Sequence, residues 1–340
     1  MPSSYLAERV LEPQEPLDLA LTLSVVQRGA SDPTLRIESV GAATRVHVAA
    51  RVGEVSGGGV AAVLEQRGAS GISGPAGSRF RAPIRVRAWG PEAADVEAFL
   101  RAVPALVGLH DDWAPFTGSE AYQLIPAGAR AGFRRRPGLR LPSTGQIIKQ
   151  TISAIFEQRV TVGEAIGAWQ RLSRRHGDPV PEPPAGMPGL PEDMRVFPRP
   201  EAWLSIPSWE WHRHGVDIHR TTSVRRLTEL APSLSRYGEG ASPAELARAL
   251  AGVPGVGPWT IAEAMQRSHG LPDAVSVGDY HLAHRICVAL EGRRGDDDRM
   301  LELLAPWRGN RQRVVRILLL AGARDQRKGP RLAPRAHRLI

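Results

Sequence analysis

The stretch LAGVPGVGPWTIAEAMQRSHGLPDAVSVGD, residues 250–279, constrains this chain more than any other part of it. A Gly- and Pro-rich turn, VPGVGP, separates two segments of helical spacing, and Asp279 follows twenty residues after Trp259. Gly255 and Gly257 carry no Cβ, so the backbone there tolerates positive φ and lets another backbone come close. A helix that opens at Pro258 leaves its first N–H groups without intrahelical partners. Those groups, at the positive end of the helix dipole, favour an anion such as a phosphate. Asp279 then places a carboxylate beside a phosphate-binding element.

The bulk numbers point the same way. A length of 340 residues allows two or three domains. Apolar residues make up 42%, enough for a sizeable core, and the formal charge of +9 favours a polyanionic partner. Lysine occurs only at 149 and 328, so nearly all the positive charge is arginine. Ala, Gly and Pro are also abundant, so that bias alone does not prove a need for guanidinium groups. Cys287 is the single cysteine, which excludes an internal disulfide and an iron–sulfur cluster held by four thiolates. No leader peptide and no run of eighteen apolar residues is evident. A cytoplasmic monomer with no membrane contact is expected.

The period of the apolar residues changes along the chain. Leu17, Leu19, Leu21, Leu23 and Val25 alternate with other residues, as do Val46–Val52 and Ile84–Ala88, which predicts half-buried strands. Gly57–Gly59 and the stretch 68–77 are expected turns. Residues 91–107 read as a helix through Val96, Phe99, Leu100 and Val103. From Thr144 the spacing is helical: Ile148, Ile152, Ile155 and Phe156 share one face. Thr161 and Glu164 form a capping-box pair, and Ser242, Pro243 and Glu245 mark another helix start. Residues 178–200 hold eight prolines and are expected to be a surface connection without regular structure. Helices are also expected over 217–237, 258–268, 280–290 and 308–322, and Asp296–Asp298 opens one by complementing its dipole. The fold class is therefore α+β: a mixed antiparallel sheet and helix domain over 1–115, an all-α helix-hairpin-helix domain over 116–322, and a basic tail over 323–340.

VPGVGPWT, the aspartate of VGDYHL and the upstream IFEQRV, taken together, resemble the helix-hairpin-helix DNA glycosylase superfamily. The branch most similar is 3-methyladenine DNA glycosylase II. The resemblance runs from about Pro142 to Gly322, with a weaker echo before it. It implies a base-excision repair enzyme that flips and hydrolytically removes alkylated purines from duplex DNA. It also implies a monovalent cation, sodium or potassium, held by the carbonyls of Ala251, Val253 and Gly255. No organic cofactor is implied.

Asp279 is the expected catalytic residue. Cleavage of an N-glycosidic bond builds oxocarbenium character on the sugar, which a nearby carboxylate stabilises while orienting water. Asp is equally a favoured helix N-cap, and both roles can coexist. Trp259 stands where lyase-competent relatives carry lysine. An indole cannot form a Schiff base, so hydrolysis is expected. Trp259 would border the base pocket, where stacking on a cationic base is worth roughly 0.5–2 kcal/mol, or would pack the hairpin as core. Gly255 and Gly257 would hold a phosphate; an ordinary helix–helix turn is the plainer alternative. Gln158 and Arg159 match the segment that enters the DNA gap, although Arg159 replaces an apolar wedge and could serve a phosphate instead. Glu263 sits where the resemblance implies an aromatic pocket residue, and Arg316 where it implies a tryptophan. Those two departures leave the lesion open. His212 and His214 resemble metal ligands but lack a third; His281 and His284 could touch DNA or water. The rival readings are a non-catalytic DNA-binding or damage-sensing protein, a bifunctional glycosylase/lyase, and a glycosylase for another base.

Overall fold

Val46, Val48 and Ala50 do lie on one face of a strand. In the computed structural model, which describes residues 4–55, 57–68, 78–237 and 242–323, five antiparallel strands lie in the order β1-β5-β4-β3-β2. They span Tyr5–Leu11 (β1), Leu35–Val40 (β2), Ala43–Arg51 (β3), Gly59–Arg67 (β4) and Ile84–Gly90 (β5). The register sets Val46 opposite Leu64 and Leu64 opposite Val86, so one face is continuously apolar. Helix α1, Ala93–Leu106, lays Val96, Phe99, Leu100 and Val103 on that face. Each such buried side chain contributes roughly 1.5–3 kcal/mol.

Three expectations need correction here. The Leu17–Val25 alternation is not a strand. Asp18 accepts the Leu21 N–H at 2.9 Å and caps a one-turn helix, Leu19–Leu23. Leu19 and Leu23 also obey helical i,i+4 spacing, and the local cap decides between the two periods. The proline-rich 178–200 segment is not merely a surface connection. It covers the second face of the sheet: Val180, Met187 and Leu190 pack on Ala61, Val63 and Trp89. Trp89 Nε1 donates to the Pro181 carbonyl at 3.0 Å. Two-residue strands Asp178–Pro179 (β6) and Arg195–Val196 (β7) pair within it, so the region after 116 is not wholly α-helical. Burial on both faces explains why β4 shows no alternation. Ser242 marks a helix start as expected, but its side chain makes no cap hydrogen bond. The expected turn at 69–77 and the tail from 324 lie outside the described residues.

The remaining long helices are Ala127–Arg135 (α2), Ile147–Phe156 (α3), Val162–His176 (α4), Ile218–Glu229 (α5), Pro243–Ala251 (α6), Pro258–Ser268 (α7), Leu282–Glu291 (α8), Asp297–Leu304 (α9) and Arg311–Leu320 (α10). They build two cores. One joins α3 to α7 and is centred on aromatics: Phe156 stands edge-on to Trp169, Trp203 and Trp211 at 6.2, 5.9 and 6.2 Å. The other packs α8–α10 against Trp113, Phe116 and Phe133, so α2 lies on α10. The predicted capping box of Thr161 and Glu164 forms at the start of α4. No described helix is long and apolar enough to cross a membrane. Helix α7 lies at the seam between the two helical cores.

Candidate active site at the hairpin

The hairpin turn is held from three sides. Val256 N–H donates to the Val253 carbonyl at 3.0 Å and closes the turn. Gln158, just past the aromatic-anchored end of α3, donates its amide to the Gly255 carbonyl at 2.9 Å and to Thr260 Oγ1 at 2.8 Å. Gly255 has φ +84°, and a Cβ there would sit 2.0 Å from Ser223 Oγ on α5. Two independent constraints therefore demand glycine at 255. Gly257 differs: its φ is ordinary and a Cβ would meet nothing within 4 Å. The space in front of α7 is open. The first helical bond runs from Ile261 N–H to the Gly257 carbonyl at 3.0 Å, so the N–H groups of Trp259 and Thr260 face that space.

The cation expected at Ala251, Val253 and Gly255 meets carbonyls of which two already accept hydrogen bonds. A carbonyl oxygen has a second lone pair, so the donor set fits a weakly bound monovalent ion.

Asp279 lies at the mouth of this arrangement. Its Oδ1 accepts the N–H groups of His281 and Leu282, both at 2.9 Å. Its Oδ2 receives the Trp259 indole N–H at 3.3 Å. One oxygen thus caps α8, and the other stands beside the indole. Gly278, with φ +91°, makes the bend, and its N–H donates to Asp297 Oδ2 at 2.9 Å. The acidic run at 296–298 therefore does more than start α9: Asp296 caps that helix, and Asp297 fastens the loop that carries Asp279. Sequence reading missed this tie.

Arg159 follows Gln158 at an exposed corner. It has φ 57°, and it is the only non-glycine at positive φ among the described residues. A left-handed arginine costs about 1–2 kcal/mol, and strain of this kind gathers at functional sites. Its guanidinium makes no bond within the described residues.

Behind Trp259 lies a set of charged groups, of which the sequence named Glu263 and Arg316 but not Arg267 or Arg28. Glu263, one turn along α7, accepts from Ser276 Oγ at 2.5 Å and from Arg267 Nη1 at 2.7 Å. Burial pushes its carboxyl up, but Arg267, Ser276 and Arg28 together hold it below the usual carboxylate range. Arg267 also donates to the Val25 carbonyl at 2.7 Å, and Arg28 pairs with Glu157 at 2.5 Å. A loop of the sheet domain thereby closes one side of the site. Arg316 on α10 reaches the same place. Burial first, then the like charge of Arg267, lowers its guanidinium to about 10, against the pull of Glu263. The i,i+4 spacing of Glu263 and Arg267, on the Trp259 face of α7, was the available signal.

Other candidates lie elsewhere. His284 Nδ1 contacts the Gly295 carbonyl at 2.5 Å, and His281 is exposed against Tyr280. His214 Nδ1 accepts from Arg171 at 3.2 Å, while His212 is exposed. No cluster of three His, Cys, Asp or Glu suited to a metal occurs among the described residues. Lys149 is buried near Arg28 and Asp32, at the far end of α3 from Gln158. Nine residues of helix put it about 13 Å away along the axis.

A Gly-rich hairpin, an aspartate facing its second helix and a preceding sheet domain define one architecture. The chain has the fold of the helix-hairpin-helix DNA glycosylases. A 3-methyladenine DNA-glycosylase from Archaeoglobus fulgidus superposes with a TM-score of 0.67 at 16% identity, covering 92% of this chain and 97% of that one. The 8-oxoguanine glycosylase/lyase of Clostridium acetobutylicum gives 0.64 at 11% identity, covering 95% and 100%. The same enzyme in complex with double-stranded DNA containing cytosine opposite 8-oxoG gives 0.61 at 12% identity, covering 93% and 98%. No known family and no curated protein matches the chain by sequence.

Proposed function

We propose that this protein is a monofunctional DNA glycosylase that extrudes a damaged base from duplex DNA and hydrolyses its N-glycosidic bond. The observation that carries this reading is the Asp279 carboxylate, with Oδ2 beside Trp259 at 3.3 Å and opening onto the front of α7. A strand phosphate docks on the free N–H groups of Trp259 and Thr260. Arg159 enters the space that the extruded nucleotide vacates. Asp279 stabilises positive charge on the sugar as the C1′–N bond breaks. Water adds to C1′, its proton passes to the carboxylate or to solvent, and the base leaves carrying the bond electrons.

The residues at the hairpin support hydrolysis rather than amine attack. Trp259 occupies the position a lysine would need, and Lys149 lies about 13 Å along α3 from the hairpin strut. A monovalent cation at the hairpin carbonyls would strengthen the hold on the phosphate. Alkylated purines form a second reading of the lesion, favoured by the half-buried indole of Trp259, which offers a face to a cationic base.

A base-release assay on lesion-bearing duplexes tests the reading. Release of free base, with an intact abasic strand until alkali is added, is expected. Strand cleavage with a borohydride-trapped protein–DNA adduct would overturn the hydrolytic assignment. Release unaltered in Asp279→Asn would overturn the role of Asp279.

A further inference from the structure

Arg316 on α10 carries a half-buried guanidinium. It makes no hydrogen bond or ion pair among the described residues, yet its nitrogens are not among the sealed polar atoms. Such groups are ordinarily paired, because an unpaired buried charge costs free energy. Its position is fixed by the fold. Helix α10 begins where α7 ends, with Gln312 N–H on the Pro272 carbonyl at 2.8 Å. From there Gln312 Nε2 donates to Gln266 Oε1 on α7 at 2.9 Å. One turn further along α10, Arg316 lies within electrostatic reach of both Glu263 and Arg267. Gln312 Oε1 beside them is buried without a donor.

Glu263 is aimed rather than free, because Ser276 and Arg267 each hold one of its oxygens. Each oxygen keeps a further lone pair. Ser276 stands three residues before Asp279, and Glu263 one turn after Trp259. An occupant between Arg316 and Glu263 therefore has its other end at the indole and the catalytic carboxylate. Arg267 is already paired with Glu263, so the unpartnered charge of Arg316 disfavours a cationic base beside it.

We propose that Arg316 and Glu263 read the lactam edge of an uncharged lesion base, Arg316 donating to a ring carbonyl and Glu263 accepting from the adjacent ring N–H. This assignment rests on the excision reading of Asp279. Oxidised and deaminated purines both present that edge. A site built to hydrogen-bond such an edge rejects analogues lacking it by large factors, because its polar groups are then left unpaired.

The test uses the full chain and duplexes carrying hypoxanthine, 8-oxoguanine, 3-methyladenine or ethenoadenine under single-turnover conditions. The expected result is release of hypoxanthine or 8-oxoguanine at least about 100-fold faster than of the other two. The faster of that pair identifies the source. Arg316→Gln should cut lactam release and shrink the ratio of lactam to 3-methyladenine release by a similar factor. Arg316→Lys, which keeps the charge and a donor to the ring carbonyl, should retain more lactam release than Arg316→Gln. Fastest release of 3-methyladenine, or an unchanged ranking in both variants, would overturn the assignment while excision itself stands. Duplexes with the corresponding 2′-fluoro nucleosides, which resist excision, give an independent reading. Tighter binding of the lactam analogues, lost in Arg316→Gln, with no base released from any natural duplex, would uphold the pocket and sink the excision reading instead.

Discussion

The indole N–H of Trp259 lies 3.3 Å from Asp279 Oδ2, while Oδ1 of the same carboxylate caps α8 through the N–H groups of His281 and Leu282. Helix-capping and charge presentation are thus divided between two oxygens of one side chain. Asn caps a helix about as well as Asp, so Asp279→Asn separates the two roles. Thermal stability should change by less than about 0.5 kcal/mol. Excision should fall by about 10²–10³-fold, the usual cost of removing one electrostatic stabiliser. Calorimetry and single-turnover base release check both, and binding to abasic DNA should persist.

Arg159 holds φ 57° at an exposed corner. Glycine adopts that conformation without the Cβ penalty. Arg159→Gly should therefore raise stability, by up to about 1 kcal/mol, while slowing base extrusion. Stopped-flow fluorescence of a 2-aminopurine placed beside the lesion reads extrusion directly. A lower Tm in the variant, or unchanged extrusion, would count against a strained functional corner.

Gly255→Ala meets both the positive φ and the Ser223 hydroxyl, 2.0 Å from the new Cβ. A loss of about 1–3 kcal/mol is expected from the backbone strain alone. Adding Ser223→Ala should recover the steric part and leave the φ part. The coupling is read from a double-mutant cycle by urea unfolding.

Glu54 of the sheet domain accepts the Lys149 N–H at 3.1 Å at the start of α3. Burial raises its carboxyl to about 8 from the ordinary 4.5, against the pull of those backbone N–H groups. The folded state therefore favours the neutral acid. Stability linked to this group is complete below about pH 4.5 and declines as pH rises towards 8. Glu54→Gln keeps the acceptor and removes the titration. The variant should gain on the wild type progressively between pH 5 and pH 8 and show no gain near pH 4.5. Urea unfolding across that range measures the difference, and a flat difference would remove the link. Lys149, lowered to about 8 by burial, titrates in the opposite sense and largely cancels in the comparison.

Elements whose two faces differ in residue type, or that carry a cap, were legible from the chain. β3, β5, α1 and α7 fall where period or capping places them. β4 was missed because its VAAVL run is buried on both sides and carries no period. The 19–23 segment was misread because five residues satisfy two periods at once, and only Asp18 as a cap separates them. At the site, the hairpin and Asp279 were readable because turn chemistry is local. The Asp297 tie and the Arg28–Glu157 pair were not, because their partners lie 19 and 129 residues apart.

The chain by itself determined the hairpin, the helix that starts at Pro258 and the absence of a lysine at position 259, since backbone freedom and residue chemistry act over a few neighbours. Only the tertiary structure decided what fills the space behind Trp259. Whether Glu263 and Arg316 are solvated surface charges or the lining of a pocket depends on how α7, α10 and the loop at Arg28 come together. Charge carries chemical meaning through its surroundings, and those surroundings are set by contacts that no local pattern encodes.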